Sequence, residues 1–176
     1  MKLAPLELDG VWIARSEPFE DERGRFSRLW CNAVFEHAGA KPLRQISEAR
    51  SITRGTLRGL HYQRKPHWEQ KTIRCMAGAA FVVCVDLRPG SSTYRKHTGL
   101  VLSAEESTTL FVDEGFAQGY QTLADDTLLL YAMSADYQPG SATGVRFDDP
   151  ALRIEWPLPP VAVSERDSNW PLLDER

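Results

Sequence analysis

The segment GTLRGLHYQ, residues 55 to 63, places an arginine and a histidine three positions apart between glycines and apolar residues. An arginine in a half-buried strand needs an anion or a carboxylate, and its planar donors suit phosphate oxygens. Histidine changes its charge near neutral pH and can therefore act as a general base. Arg58 and His61 are the first candidates for a site that holds phosphate and moves a proton.

His61 has three interpretations: a metal ligand, a general base, or a core histidine whose hydrogen bonds are satisfied, which is the commonest case. A metal site in a β-rich protein needs clustered histidines and a carboxylate. The sequence has no H-x-H pair, and His37, His67 and His97 occur in unrelated contexts. We therefore expect no metal ion, and the choice between base and core residue depends on the companions of His61.

Three other side chains could take part in acid–base chemistry. Tyr131 ends the apolar run TLLLY, Lys71 begins KTIRCMAG, and Asp167 lies in SERDSNWP. Each also has an ordinary structural explanation: the tyrosine packs with its hydroxyl satisfied, the lysine is solvated, and the aspartate belongs to a turn. Arg23, in the loop DERGRF, could likewise be a solvated surface residue. Taken one at a time, none of these residues establishes a site.

Short strands are the elements that must position these side chains. The strands are predicted at Val11–Arg15, Phe26–Trp30, Arg44–Thr53, Thr56–Gln63, Gln70–Met76, Ala79–Leu87, His97–Leu102, Thr108–Val112, Phe116–Leu123 and Thr127–Ser134. The run AAFVVCVDLR is apolar on both faces except at its end, so we expect this strand to be covered on both sides. Many short strands at regular spacing indicate a β-sandwich or barrel.

The fold class predicted from this pattern is all-β, a double-stranded β-helix (cupin-like jelly roll) with one or two short helices and one domain over residues 1–176. The helix candidate is CNAVFEHAG, in which Asn32 can cap the N-terminus and Gly39 can end the helix. The mouth of such a barrel is a natural ligand site.

Composition and charge exclude several classes of protein. The chain has 176 residues, of which 42% are apolar and 26% charged, with a net charge of −3. These values are ordinary for a soluble globular protein and imply no general affinity for nucleic acid or anionic membranes. The longest apolar runs are too short to cross a bilayer, and MKLAPLELDG lacks an apolar signal core. We therefore expect a cytoplasmic protein with no nucleic-acid or membrane partner.

The three cysteines, Cys31, Cys75 and Cys84, have no CxxC spacing. This pattern argues against a disulfide framework and against a structural zinc site. Cys75 and Cys84 lie inside apolar runs, so we interpret them as small buried hydrophobic residues.

Eight motifs occur along nearly the whole chain in the order and at the spacing of one known family. The chain resembles the dTDP-4-dehydrorhamnose 3,5-epimerase family in these pieces. They are DERGRF, RQIS, GTLRGLHYQ, the lysine at 71 before AGAAFVVCVDLR, EGFAQGY, LLLYAMSADYQP, FDDPALRIEWP and SERDSNWP.

The resemblance implies a jelly-roll homodimer that needs no metal and no organic cofactor and that acts on a nucleotide-diphospho-sugar with a 4-keto-6-deoxyhexose. By motif match His61 is the base, Asp167 its partner, Lys71 the oxyanion stabiliser and Tyr131 the acid. Arg58 and Arg23 are implied to lie near the pyrophosphate, and Phe26 against the nucleobase, from this subunit or the other one. The remaining implied substrate contacts are Gln45, Ser47, Gln118, Tyr137 and Arg166.

This set of residues makes chemical sense for epimerisation next to a ketone. A C–H beside a carbonyl is a weak acid, so its removal needs a positioned base. A histidine held by a carboxylate has a fixed tautomer and orientation. A nearby ammonium stabilises the enolate charge as it develops, and a tyrosine across the cavity can supply a proton to the opposite face. For Arg58 and His61 to reach one cavity, we expect a bulge, twist or bend at Gly59.

Four positions depart from the pattern of the family. Gln118 replaces a common histidine, Arg28 a common glutamate, Ser47 an asparagine and Ala49 a serine. Glutamine can form hydrogen bonds but cannot carry a proton charge. Because these changes fall in motifs associated with ligand contact, the base, the sugar and the choice of C3, C5 or both carbons stay open.

Three alternatives to a 3,5-epimerase remain at this stage. The first keeps the chemistry but acts on a single carbon or a related nucleotide sugar. The second is a non-catalytic jelly roll that binds a sugar nucleotide, although such a module has no use for both His61 and Tyr131. The third is a metal-dependent cupin oxygenase or isomerase, for which the sequence offers no set of ligands.

Overall fold

Two antiparallel β-sheets carry most of the regular structure of the chain in its computed structural model, which describes residues 1–175. The strands are β1 (Lys2–Pro5), β2 (Val11–Arg15), β3 (Phe19–Asp21), β4 (Gly24–Phe26), β5 (Gln45–Ser51), β6 (Leu57–Gln63), β7 (Lys71–Ala77), β8 (Ala79–Asp86), β9 (His97–Ser103), β10 (Thr108–Val112), β11 (Phe116–Thr122), β12 (Thr127–Met133) and β13 (Ala142–Gly144). The helices are α1 (Asn32–Phe35), α2 (Glu165–Ser168) and 3₁₀ turns at Glu36–Ala38 and Leu173–Glu175.

The strand order confirms the predicted jelly roll. One sheet has the order β1-β2-β10-β7-β12-β5, the other has β13-β6-β11-β8-β9, and β3 pairs with β4 in a separate hairpin. The main core lies between the two large sheets, because its buried side chains come from both of them. Examples are Ile73, Leu110 and Leu129 from the first sheet and Val82 and Leu102 from the second.

Strand β8 is covered on both faces, as its apolar sequence predicts. Val82 and Cys84 belong to the core between the sheets. Val83 and Val85 belong to a second cluster, on the face covered by the C-terminal segment that includes Leu152. A strand buried on both sides provides a rigid support for the neighbouring strand β11.

The segment around Phe26 differs from its prediction. The expected strand Phe26–Trp30 is wrong, because β4 ends at Phe26 and forms a hairpin with β3. Trp30 instead stacks on Phe35, with ring centroids 4.2 Å apart, and so anchors α1 against the sheet. Burial of this aromatic pair determines the path of the chain here, and strand propensity does not.

The helix α1 begins one residue earlier than predicted. Cys31, not Asn32, occupies the N-cap position and makes no side-chain cap hydrogen bond. The side-chain oxygen of Asn32 accepts a hydrogen bond from the Trp30 indole, which explains why it does not cap the helix. The predicted ending is confirmed, since Gly39 follows the 3₁₀ turn with a φ of 75°.

The pairing of β6 is irregular at Gly59, between Arg58 and His61, as predicted. In the pairing of β6 with β11, His61 lies opposite Gln118 and Arg58 opposite Tyr120. Between these two pairs, Gly59 and Leu60 of β6 lie opposite the single residue Gly119 of β11, which is a β-bulge. Gly59 has a φ of 122°, and a Cβ atom there would collide with Gly119, so only glycine fits.

No helix among residues 1–175 is both long enough and apolar enough to cross a membrane.

Candidate active site

A histidine and a buried carboxylate form the centre of the site. Nε2 of His61 lies 2.6 Å from Oδ1 of Asp167. The Asp167 side chain is only 4% exposed, whereas that of His61 is 44% exposed. The short helix α2 holds Asp167 in place, because Oγ of Ser164 caps it by accepting a hydrogen bond from the Asp167 backbone N–H. The carboxylate is therefore fixed behind an accessible imidazole.

Hydrogen bonds keep Asp167 ionised. Burial alone would raise the pKa of the carboxyl group, but the hydrogen bonds from His61, the Gly59 N–H and the Trp170 indole outweigh it and lower that pKa below its ordinary value. The Gly59 N–H donates to Oδ2 at 3.1 Å, so the bulge residue itself contacts the carboxylate. An ionised Asp167 fixes the orientation and the tautomer of His61.

His61 lies at the junction of three adjoining cavities, with volumes of about 290, 430 and 230 Å³. Lys71 and Tyr131 line the first and third of these cavities. Arg58 lines the second and third, and Arg166 the first and second. The proposed acid–base groups and both arginines therefore line neighbouring cavities that have His61 in common.

Lys71 extends into this space from the start of β7. Its ammonium donates a hydrogen bond to the His61 carbonyl at 3.2 Å. It also forms a 3.3 Å ion pair with Glu69, and both side chains are only about a tenth exposed (12% and 11%). Glu69 in turn accepts a hydrogen bond from Gln63. Lys71 is therefore a fixed cation within the cavity and not a solvated surface lysine.

Tyr131 lies on β12, with its hydroxyl close to Gln118. The Gln118 amide donates to that hydroxyl at 3.4 Å and to the Gly119 carbonyl at 3.0 Å. Burial raises the pKa of Tyr131 well above its ordinary value, with a further contribution from Tyr120. The phenol therefore stays protonated at neutral pH and is able to donate a proton.

Arg58 and Arg166 supply positive charge at the mouth of the site. Arg58 donates to two neutral acceptors, the Ser51 hydroxyl and the Arg50 carbonyl. The guanidinium of Arg166 lies 4.9 Å from the centre of the Trp170 ring. Within residues 1–175, no carboxylate forms an ion pair with either arginine. Both cations are available to an anionic ligand.

The other residues predicted to contact substrate divide into two groups. Gln45, Ser47 and Tyr137 line the same cavity as His61. Gln45 also accepts a hydrogen bond from the Tyr137 N–H and so holds that loop against β5.

Arg23 and Phe26 lie apart from this cavity, in the β3–β4 hairpin. Their side chains line none of the three cavities around His61. Arg23 pairs with Asp21 at 2.6 Å, and Phe26 is 77% exposed. The hairpin is tethered instead to the carbonyls of Ala104 and Glu105 by Arg25.

Two residues that the sequence analysis missed lie at the site. Glu69 contacts Lys71, and the Trp170 indole donates a hydrogen bond to Asp167 at 3.2 Å. Glu69 lies two positions before Lys71 and in none of the family motifs, so proximity to a candidate residue was its only signal. Trp170 lies three positions after Asp167 and in the same motif, SERDSNWP, but no role is assigned to it there. In the part of the chain that the structure describes, no group of three or more His, Cys, Asp or Glu side chains could hold a metal ion.

Comparison with known proteins gives a consistent result over nearly the full length of the chain. The family model described as dTDP-4-dehydrorhamnose 3,5-epimerase matches residues 5–175. A dTDP-4-dehydrorhamnose 3,5-epimerase from Methanothermobacter thermautotrophicus is 40% identical over 173 residues, covering 96% of this chain and 92% of that protein.

Two further proteins bear on the details of the reaction. A dTDP-4-dehydrorhamnose 3-epimerase from Streptomyces niveus is 36% identical, covering 99% of this chain and 85% of that protein. The crystal structure of a 3,5-epimerase from Legionella pneumophila, in complex with dTDP-4-keto-L-rhamnose, superposes with a TM-score of 0.93 at 32% identity. The superposition covers 98% of this chain and 93% of that one.

Proposed function

Because the chain belongs to the dTDP-4-dehydrorhamnose 3,5-epimerase family, we propose that it inverts C3 and C5 of a dTDP-linked 4-keto-6-deoxyhexose through an enolate. The observation that carries this proposal is the pairing of His61 with a buried, ionised Asp167 in a space that Lys71 and Tyr131 also line. This combination provides a base, an oxyanion stabiliser and an acid around one chamber.

His61 removes the proton from the carbon next to the C4 ketone. The electron pair of the broken C–H bond moves onto the ketone oxygen and gives an enolate, while the imidazole becomes an imidazolium. Asp167 stabilises that imidazolium without taking its proton, because its hydrogen bonds favour the ionised carboxylate. General-base catalysis of this kind contributes a factor of about 10² to 10⁴ in rate.

Lys71 stabilises the enolate oxygen. Its ammonium is anchored by Glu69 and by the His61 carbonyl, so it needs little reorganisation when the negative charge develops. Tyr131 then donates its hydroxyl proton to the opposite face of the carbon, and the electron pair returns from the enolate oxygen. Exchange with solvent afterwards reprotonates Tyr131 and deprotonates His61, so that the enzyme ends unchanged.

Arg58 and Arg166 bind the pyrophosphate of the substrate. Both guanidinium groups lack a carboxylate ion pair within the described chain and line cavities shared with His61. One extended ligand can therefore place its phosphates on the arginines and its sugar beside the base, which accounts for an arginine and a histidine in the same short strand.

A homodimer completes the nucleobase end of the site. Phe26 and Arg23 lie outside the cavities of their own chain, on a hairpin whose Phe19 and Phe26 are 65% and 77% exposed. Strand β5, which borders the cavity, is an open edge of its sheet, and Ile46 on it is 67% exposed. A second copy that inserts its hairpin here would cover these apolar groups and bring Phe26 to the nucleobase.

A single-carbon epimerase is the second candidate. Gln118 supports it, because a glutamine beside Tyr131 cannot relay a proton charge as a histidine could. The 3-epimerase from Streptomyces niveus also lies within the same range of sequence identity.

Deuterium incorporation tests the proposed function. The protein is incubated in D₂O with dTDP-4-keto-6-deoxyglucose, and C3 and C5 are followed by NMR. Deuterium at both carbons is the expected result, and deuterium at one carbon supports the single-carbon alternative. Binding of the nucleotide sugar with no exchange at either carbon, repeated with other nucleobases, would overturn the proposal in favour of a non-catalytic binding protein.

A further inference from the structure

We propose that Trp170 is a positioning residue that aligns the His61–Asp167 pair and couples it to Arg166. The proposal rests on the proposed function, since it assigns to Trp170 a part in the epimerisation that His61 begins. Trp170 lies in the motif SERDSNWP, but none of the catalytic roles described above is assigned to it.

The indole of Trp170 contacts both members of the pair. Its Nε1–H donates a hydrogen bond to Oδ1 of Asp167 at 3.2 Å. The same oxygen lies 2.6 Å from Nε2 of His61. The indole and imidazole rings also meet edge to face, with centroids 6.4 Å apart and an interplanar angle of 75°. Trp170 therefore restricts the carboxylate by a hydrogen bond and the imidazole by direct packing.

Three donors hold the Asp167 carboxylate, and they do so from different directions. The Gly59 N–H binds Oδ2, while His61 and Trp170 share Oδ1. Without the indole donor, Oδ1 would be free to rotate with His61, and the imidazole would lose its fixed direction toward the substrate. A small error in the direction of a general base reduces the rate of proton transfer.

The same indole supports a cation of the substrate site. The Arg166 guanidinium lies over the Trp170 ring at 4.9 Å, a cation–π contact. Arg166 lines two of the cavities that His61 also lines. Trp170 thus contacts both Arg166, which is proposed to bind the pyrophosphate, and His61, which is proposed to act as the base. Binding of phosphate by Arg166 and orientation of His61 therefore both depend on Trp170.

The backbone next to His61 is shaped to admit this indole. Gly144 on β13 lies directly opposite His61 on β6. A Cβ atom at Gly144 would collide with Nε1 and Cε2 of Trp170, so a larger residue would push the indole away from Asp167. The position of the ring is therefore determined by packing as well as by its hydrogen bond.

Two substitutions separate the functions of the indole. Trp170→Phe keeps an aromatic ring under Arg166 but removes the N–H donor. We expect kcat to fall about tenfold, with KM within twofold of wild type, since the lost hydrogen bond is to a charged group that aligns the base. Trp170→Leu removes the ring as well, so we expect KM to rise severalfold in addition.

The pH profile distinguishes alignment from a general loss of structure. An Asp167 oxygen that is no longer shared with Trp170 stabilises the imidazolium more strongly, so the acid limb of kcat/KM should move to higher pH in Trp170→Phe. Trp156→Phe is the matched control: its indole donates to the Phe147 carbonyl at 2.9 Å and packs on Phe81, away from the three cavities. It should keep the wild-type kinetics and pH profile.

NMR of the His61 ring provides a measurement that does not depend on activity. The signal is assigned by its loss in His61→Asn, and its titration is compared in wild type, Trp170→Phe and Trp156→Phe. A shift to higher pH in Trp170→Phe alone supports the proposal, even if deuterium exchange disproves the proposed epimerisation. A Trp170→Phe protein with wild-type kcat, pH profile and His61 titration would overturn it.

Discussion

His61 and Asp167 are 106 residues apart in sequence, yet Nε2 of the histidine lies 2.6 Å from Oδ1 of the aspartate. The contact joins β6 to the short helix α2 near the C-terminus. Folding of the C-terminal segment onto the five-stranded sheet is therefore a condition for a correctly oriented base.

Asp167→Asn should remove most of the activity while preserving the fold. The amide has the same shape, but it cannot stabilise an imidazolium and can present an N–H to His61 instead of an acceptor. We expect kcat to fall by about 10² to 10⁴, with dTDP binding by calorimetry unchanged. Asp126→Asn, in an exposed ion pair with Arg50, is the control. Deuterium exchange within threefold of wild type in Asp167→Asn would show that His61 needs no carboxylate.

Strands with a continuous pattern could be predicted from the sequence, whereas segments shaped by distant contacts could not. Strand β8 and the bulge at Gly59 follow from apolar alternation and from a glycine between two functional residues. The course of the chain after Phe26 does not, because Trp30 stacks on Phe35, and Phe35 packs in turn against the distant Phe111 of β10. The short strand β13 pairs with β6 and has no strong apolar signal of its own.

The candidate site could be predicted from the sequence only at positions to which a family motif assigns a role. His61, Lys71, Tyr131 and Asp167 each lie in a recognisable motif. In the sequence, Glu69 has no feature that distinguishes it from other charged residues. Only the structure shows that its side chain is 11% exposed and pairs with Lys71. No local pattern in the sequence carries that information.

Tyr131→Phe should separate proton removal from inversion. Because burial raises the pKa of Tyr131, the wild-type phenol is protonated across the working pH range, which is the form that the proposed mechanism requires. The variant retains His61, so deuterium exchange should continue at a substantial rate, while inversion falls by about 10² or more. NMR measures both in the same sample, and Tyr94→Phe, 44% exposed, serves as control. Undiminished inversion would remove Tyr131 from the mechanism.

Lys71→Met should affect both catalysis and stability, for different reasons. Loss of the ammonium removes enolate stabilisation, so kcat should fall by about 10² to 10³. It also leaves the Glu69 carboxylate buried without its cation, which is destabilising. The double variant Lys71→Met/Glu69→Gln should recover much of the lost stability, as measured by chemical denaturation. Its kcat should stay low. Recovery of kcat in the double variant would contradict the role of Lys71.

The protein should lose stability in acid because the buried carboxylate of Asp86 becomes protonated. Burial would raise the pKa of this carboxyl group, but hydrogen bonds from Arg88, Ser91 and Thr93 prevail and lower it from 3.8 to about 2. Because the pKa of Asp86 is lower in the folded state, its ionised carboxylate stabilises the protein at pH values above the pKa of the unfolded state. This stabilisation disappears as the pH falls from about 4 to about 2. The shift corresponds to about 2 kcal/mol at neutral pH.

Asp86→Asn measures this contribution directly. Urea unfolding at pH 6, 4 and 2.5 should give a difference in free energy of unfolding from wild type that is largest at pH 6 and shrinks steadily toward pH 2.5. Asp126→Asn should show no such trend. A difference for Asp86→Asn that does not change with pH would mean that the ionised carboxylate is not the source of the stabilisation.

Mixed dimers should reveal whether the nucleobase end of the site comes from a second copy. His61→Asn removes the base, and Phe26→Ala removes an aromatic group that lies outside the cavities of its own chain. If Phe26 acts in the partner's site, a dimer of one chain of each variant contains one site with both defects and one site with neither. Co-refolding the two inactive or weak variants should therefore restore activity with the wild-type KM, to at most half the wild-type level per dimer.

Co-refolding His61→Asn with wild type gives the reference for exchange of subunits, and sedimentation velocity measures the dimer fraction. If Phe26 served its own chain, the sites in the mixed dimer would carry one defect each, and mixing would give no more activity than the Phe26→Ala protein alone.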